Sequence, residues 1–371
     1  MTLTYPHLGN AYIIAKALLD DFDAQYVIPP FNTNKTLEIG SKYCSEAHCL
    51  PFKLFVGNMI QAKELGADAM LITGGCGPCK LGYFGEMLKK TADDIGIKME
   101  IVTLEVPDQG LGELAARIKK VSGTSNFVNI AKVVNSAKNV AIQADNLEKL
   151  TRIKRARQLE AGSVDKIYRA FQNDIVNIKG SKNILQYIKQ TEKKLNGVLL
   201  NENATPLKIG LVGEIFTTIE PYANFELEKL LGNMGVELER KVTISQWIIN
   251  DMLRKGLHLP KNSSHEKASK AYLGKIVGGH THHTIGNSVI HAKDGYDGVI
   301  HLYPLGCMPE IVSQAILPAI EEDYQIPIMT IIRDEMTGEA GFETRVEAFV
   351  DLLKKRREEN LDGQNKLLYG Y

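Results

Sequence analysis

Five cysteines carry the sharpest chemical signal in the chain. Cys44, Cys49, Cys76 and Cys79 fall in one short stretch, and Cys307 stands alone more than two hundred residues later. A deprotonated thiol is both a nucleophile and a ligand for soft metals. The pattern Cys76-x-x-Cys79 is shared by redox dithiols, zinc sites and iron–sulfur sites, while the Cys44 to Cys49 spacing is less specific. Zinc on the four clustered thiols fits the spacing but leaves Cys307 unused. No thioredoxin-like pattern surrounds Gly77-Pro78, and cysteines in Gly/Pro-rich loops are poor candidates for inert core packing. An odd, small cysteine count also argues against a secreted disulfide framework.

The elements around these cysteines alternate between strand and helix patterns. Strands are expected at Thr2 to Tyr5, Tyr26 to Pro30, Ala69 to Thr73 and Ile101 to Val106. Helical stripes are expected at Ala11 to Leu19, after Pro51 (Phe52, Phe55, Val56, Met59) and around Phe84, Met87 and Leu88. From about 110 to 200 the strand signal fades into helices such as Leu147 to Phe171 and Ile184 to Leu199. Alternation resumes with a strand at Leu207 to Gly213, a helix at Leu227 to Met234 and strands at Val236 to Val242, Gly298 to Tyr303 and Ile326 to Ile332. Helices are expected from Glu310, where Pro318 interrupts the apolar positions, and at Arg345 to Arg357. The fold class is therefore α/β: a first unit over 1–110 with four cysteines, a helical insertion over 111–204, and a second unit over 205–371 with Cys307.

Cys49, Cys79 and Cys307 each precede a helix. In open parallel sheets such turns line the crevice at the carboxyl ends of the strands. All three are expected to face one cleft between the units. A helix N-terminus favours thiolate over thiol, and Gly75, Gly77 and Gly306 let backbone approach a bound group closely.

Composition narrows the partners. The chain has 371 residues, with 44 basic and 44 acidic side chains and a formal net charge of zero, so no basic excess recommends nucleic acid or an anionic bilayer. The N-terminal residues lack a secretory pattern and no apolar run reaches about 18 residues, which predicts a cytoplasmic protein without a membrane span. The densest basic run, Lys149, Arg152, Lys154, Arg155 and Arg157, reads either as a solvated helix face or as a docking face for an acidic or phosphorylated partner.

Six separated stretches add a family resemblance: TYPHLGNAYI, CLPFKLFVGN, GGCGPCKLGYFGE, GEIFTTIEPYANFELEKLLGNMGVE, GYDGVIHLYPLGCMPEIV and DEMTGEAGFETRVEAFVDLL. Together they resemble the 2-hydroxyacyl-CoA dehydratase-related iron–sulfur proteins, in the branch of activase-related "CoA protein activase" proteins. The resemblance implies two flavodoxin-like, Rossmann-like parallel-sheet domains with an iron–sulfur cluster in the interdomain cleft. It also implies low-potential electron transfer and a dimer, either of two copies or of two related subunits. The electron donor it implies is an ATP-hydrolysing activase of the actin/hexokinase-like class. By motif, Cys49 in CLPFK, Cys79 in GPCKLGY and Cys307 in GCMPE match the ligands of a 4Fe–4S cluster. Cys44 and Cys76 depart from that pattern and are expected as additional ligands. Related proteins carry a double-cubane 8Fe–9S cluster on six cysteines, and this chain has five.

Further groups fill out the expected site. Lys53 and Lys80 would offset the negative charge of a thiolate-bound cluster, and His48 would act as a further ligand or donor to sulfur. Glu310 and Glu86 are the acid–base candidates, with Glu214, Glu220, Asp334 and Glu335 near strand ends. His280, His282 and His283 read as a Gly-rich loop, or as an extended strand with His280 and His282 on one side. Beside the redox reading stand two others: a 2-hydroxyacyl-CoA dehydratase subunit, and a zinc-bound or metal-free scaffold. No Walker-type loop is present, so ATP hydrolysis is assigned to a partner.

Overall fold

A computed structural model describes residues 1–72, 79–104, 111–249, 263–275 and 277–369. The first parallel sheet is formed by β1 (Leu3–Thr4), β2 (Ala69–Ile72) and β3 (Glu100–Thr103), in the order β1-β2-β3. Between them run α1 (Ala11–Asp21), α2 (Asn34–Lys42), α3 (Leu50–Glu64) and α4 (Phe84–Asp94). The segment from Tyr26 contributes a single parallel bridge to Leu3, in place of the expected strand to Pro30. Strand β2 shows why this sheet is covered on both faces. Ala69 and Leu71 join one apolar cluster, and Met70 and Ile72 join the other, as a period of two requires.

The helical insertion is a layer of this first unit. It comprises α5 (Leu111–Ser122), α6 (Phe127–Arg155), α7 (Ser163–Ile175) and α8 (Ser181–Asn196). Val140, Leu147, Phe171, Ile184 and Ile188 pack with Leu3, Ala69 and Leu71. The helix expected over Leu147 to Phe171 is two helices, broken where Gly162 takes φ +83°.

The second sheet has the order β5-β4-β6-β7, all parallel: β4 (Leu207–Gly213), β5 (Val236–Arg240), β6 (Gly298–Pro304) and β7 (Ile328–Arg333). After β4 come α9 (Ile215–Ile219) and α10 (Leu227–Asn233); after β5 come α11 (Ile244–Trp247), α12 (Ser264–Ser269) and α13 (Thr281–Lys293). Finally, α14 (Met308–Tyr324) follows β6 and α15 (Glu339–Tyr369) follows β7. Ile300 and Leu302 of β6 face α15 through Val346, Phe349 and Leu353. The alternate residues His301 and Tyr303 reach Glu310 and Gln314 of α14. Helix α14 runs through Pro318, which lies exposed. Two parallel-sheet units of flavodoxin-like layering result. No described helix is long and apolar enough to cross a membrane.

Each sheet has a switch point where strand order reverses. In the second it lies between β4 and β6, and in the first between β1, flanked by the Tyr26 bridge, and β2. Crevices form at the carboxyl ends of such strand pairs. The segments that follow β1 and β4 are joined where the Gly9 amide donates to Oε2 of Glu220 at 2.7 Å. Tyr222 Oη donates to Oδ1 of Asn34 at 2.9 Å across the same boundary.

Candidate metal centre between the two sheets

The local fold puts three thiols at one kind of position. Cys49 is the N-cap of α3, Cys79 caps the short 3₁₀ turn Lys80–Tyr83 that leads into α4, and Cys307 is the N-cap of α14. All three have extended backbone with φ between −69° and −75°. Leu50-Pro51 and Met308-Pro309 repeat the same arrangement, an apolar residue then proline in the first helical turn. This Cys-apolar-Pro repeat was readable from the sequence, and it marks Cys49 and Cys307 as equivalent.

The three thiols share an electrostatic environment. The Glu214 carboxylate, which follows β4, acts on all three, Cys79 feels Glu310 as well, and Cys79 acts on both Cys49 and Cys307. A Cβ on Gly279 would stand 2.6 Å from Pro309 Cγ and 3.8 Å from Cys79 Cβ, so this glycine leaves room between α13 and the two cysteine-bearing turns. The expected thiolate-favouring effect of the helix starts is outweighed here. Nearby amides of Phe52, Leu81 and Glu310 do pull the thiols down, but loss of solvent dominates. It pushes Cys49 up to about 12 and raises Cys79 and Cys307 too. Glu214 is likewise pushed up, to about 7, by loss of solvent around its carboxyl, despite accepting from the amides of Phe216 and Thr217 at 2.9 Å each.

The other expected residues divide clearly. Cys44 is half-buried among apolar side chains and is raised to about 11 by burial; the charge it feels is that of Lys53, not of Glu214. Lys53 is buried and ion-paired with Glu335, which ties α3 to the turn after β7. Exposed Lys80 acts on Cys49 and Cys79, and its Nζ donates to the Ala47 carbonyl at 2.9 Å. His48 stacks on Phe52 with ring centroids 4.8 Å apart, and its Nδ1 accepts from the Ser45 amide. Gly306 takes φ +76° just before Cys307, a turn that requires glycine. Glu310 is buried beside the cleft, whereas Glu86 is exposed on α4. Glu220 is spent on the Gly9 amide, and Asp334 on a local turn with Thr337 and Met336. Cys76, Gly75 and Gly77 lie outside the described residues.

Two expectations are corrected. His282 and His283 lie in the first turn of α13 and His280 is its N-cap, so this segment is neither a Gly-rich loop nor an extended strand. The basic run is also neither a solvated face nor a docking face over its length. Arg152 and Arg155 are buried, with Arg152 ion-paired to Glu148 and Glu228, Arg155 to Asp165, and Arg157 to Glu237.

Among the described residues, no three His, Cys, Asp or Glu side chains are arranged to hold one metal ion. Ligands of a single tetrahedral zinc crowd around one centre at about 2.0–2.3 Å. Ligands of a multi-iron cluster bind different irons and so stand further apart. Leu305, Met308 and Ile311, which neighbour Cys307 in the chain, are exposed, as is Met336 in the turn after Arg333, whose carbonyl accepts from the Leu305 amide. A cavity of about 690 Å³ opens elsewhere, between α6, α11 and α13, and none of the four described cysteines lines it. Compared with known proteins, the chain matches no family model and no curated relative.

Proposed function

We propose that the cleft holds an iron–sulfur cluster on Cys49, Cys79 and Cys307, and that the protein is a low-potential redox component. The observation that carries this reading is the gathering of three helix-capping thiols from both sheets around Glu214. The donor set fits the group. Burial disfavours bare thiolates on Cys49, Cys79 and Cys307, and iron bound to the three sulfurs would stabilise them in that form.

When bound, the cluster accepts one electron at a time and passes it on. The resemblance to 2-hydroxyacyl-CoA dehydratase-related proteins supports an ATP-hydrolysing activase as donor, with the electron passing to a small substrate in the cleft or to a protein acceptor. The chain's own part is to exclude water from the thiols, orient them through three helix starts and set the local charge through Lys80, Glu214 and Glu310. Oxygen-free purification with iron and sulfide analysis tests this directly. About four irons per chain is the expected result for a single cubane and about eight for a double one. An iron-free protein from an oxygen-free preparation, or one carrying a single zinc, would sink the proposal.

A further inference from the structure

Glu310 is fully buried, and its two carboxylate oxygens are treated unequally. Oε2 accepts from Thr284 Oγ1 at 2.9 Å and pairs with Nε2 of His301 at 3.0 Å. Oε1 has no hydrogen-bond partner. His301 is itself fixed, because its other ring nitrogen lies 3.3 Å from Thr330 Oγ1. An orphaned acceptor in a buried site costs about 1–3 kcal/mol, more for a charged group, and persists where something else completes it.

Position says what that is. Glu310 lies in the first turn of α14, one turn past Cys307, and its charge is felt at both Cys307 and Cys79. Glu214, the other acid facing the thiols, has donors on both oxygens: the Phe216 amide on Oε1, and the Thr217 amide and hydroxyl on Oε2. Hydrogen-bond accounting thus leaves Oε1 of Glu310 as the unpartnered carboxylate oxygen of the two acids that act on the thiols. Three cysteines on a four-iron cluster leave one iron without a protein ligand.

We propose that Oε1 of Glu310 ligates the iron that the three cysteines leave open, with Thr284 and His301 holding Oε2 so that the free oxygen stays presented. The inference rests on the iron–sulfur reading above. A ligating carboxylate whose second oxygen is hydrogen-bonded is the usual construction of a metal site. Its consequence is a cluster closed to small exogenous ligands.

The test uses the full chain loaded with iron and sulfide without oxygen, reduced with dithionite and titrated with cyanide, with the electron paramagnetic resonance spectrum as readout. The wild-type signal should not move, the Glu310→Gln signal should shift as one cyanide binds per cluster, and Glu310→Cys, which restores a protein ligand, should resist again. Equal behaviour of wild type and Glu310→Gln, whether both shift or neither does, overturns the proposal. Should Glu310→Gln fail to hold a cluster, wild type, Cys76→Ala and Glu310→Cys decide: a cyanide-responsive wild type or Cys76→Ala overturns the assignment, and resistance in all three supports it. Wild-type protein without iron would instead defeat the cluster reading itself, so the two failures are distinguishable.

Discussion

The Gly9 amide donates to Oε2 of Glu220, 211 positions further along the chain, and this bond joins the turn before α1 to the end of α9. Gly9 has φ +47°, and a Cβ there would stand 2.5 Å from Ile219 Cγ2 and 3.0 Å from the Ile219 carbonyl oxygen. Gly9→Ala should therefore push the two units apart and cost roughly 1–3 kcal/mol, read as a lowered midpoint of urea unfolding. An unchanged midpoint would show that the boundary relaxes freely.

The buried ion network between the helical layer and the second sheet gives a larger effect. Arg240 pairs with both Glu148 and Glu228, and Arg152 bridges the same two acids. Arg240→Ala leaves two enclosed carboxylates short of a cation and should cost about 3–5 kcal/mol. Calorimetry at neutral pH would register the loss, and a change under about 1 kcal/mol would mean that Arg152 alone suffices.

Two histidines make stability depend on pH. Burial lowers His7 to about 4 and His291 to about 3, so both stay neutral in the folded chain at pH values where the unfolded chain binds protons. Below about 6.5 the unfolded state holds more protons, and stability is progressively lost as pH falls from there toward 4 and then 3. Both ring nitrogens of His291 are buried without partners. His291→Phe should thus be near neutral at pH 8 and flatten the decline toward pH 5, measured by denaturant midpoints at each pH. A slope identical to wild type would rule His291 out as a contributor.

How much of this was legible in the sequence depended on what each element packs against. The continuous apolar runs at Ala69–Ile72 and Leu207–Gly213 announced buried parallel strands, and their bounds agree closely. Helix α13 was hidden because its sequence reads as polar and broken by Gly286. That glycine is there for contact: a Cβ would meet the His265 carbonyl oxygen at 2.0 Å, so it lets α12 press against α13. The role of the insertion as the first sheet's missing layer was invisible because Val140, Ala144 and Leu147 are diluted among charges. At the site, spacing found the cysteines, but only the fold separates Cys44, placed beside Lys53, from the three thiols that face Glu214.

That separation predicts a division of labour. Cys44→Ala should retain the iron content of the wild-type chain, whereas Cys49→Ala, Cys79→Ala and Cys307→Ala should each lose most of it. Parallel iron analysis of four oxygen-free preparations provides the check, and loss of iron from Cys44→Ala would make Cys44 a ligand after all.

The two lysines should likewise differ. Lys80 acts on Cys49 and Cys79, whereas Lys53 is matched by Glu335 and acts on Cys44. Lys80→Gln should lower the reduction potential of a cluster in the cleft, and by more than Lys53→Gln does. A redox titration showing the reverse order would reject this assignment.

Finally, Cys79 and Cys307 arrive at the cleft from different sheets, more than two hundred residues apart in the chain. During synthesis the first unit emerges and folds well before β6 exists. Whatever the three thiols hold, Cys49 and Cys79 must wait for Cys307 until the ribosome has delivered most of the polypeptide. Any group held by all three thiols could therefore be bound only late in synthesis.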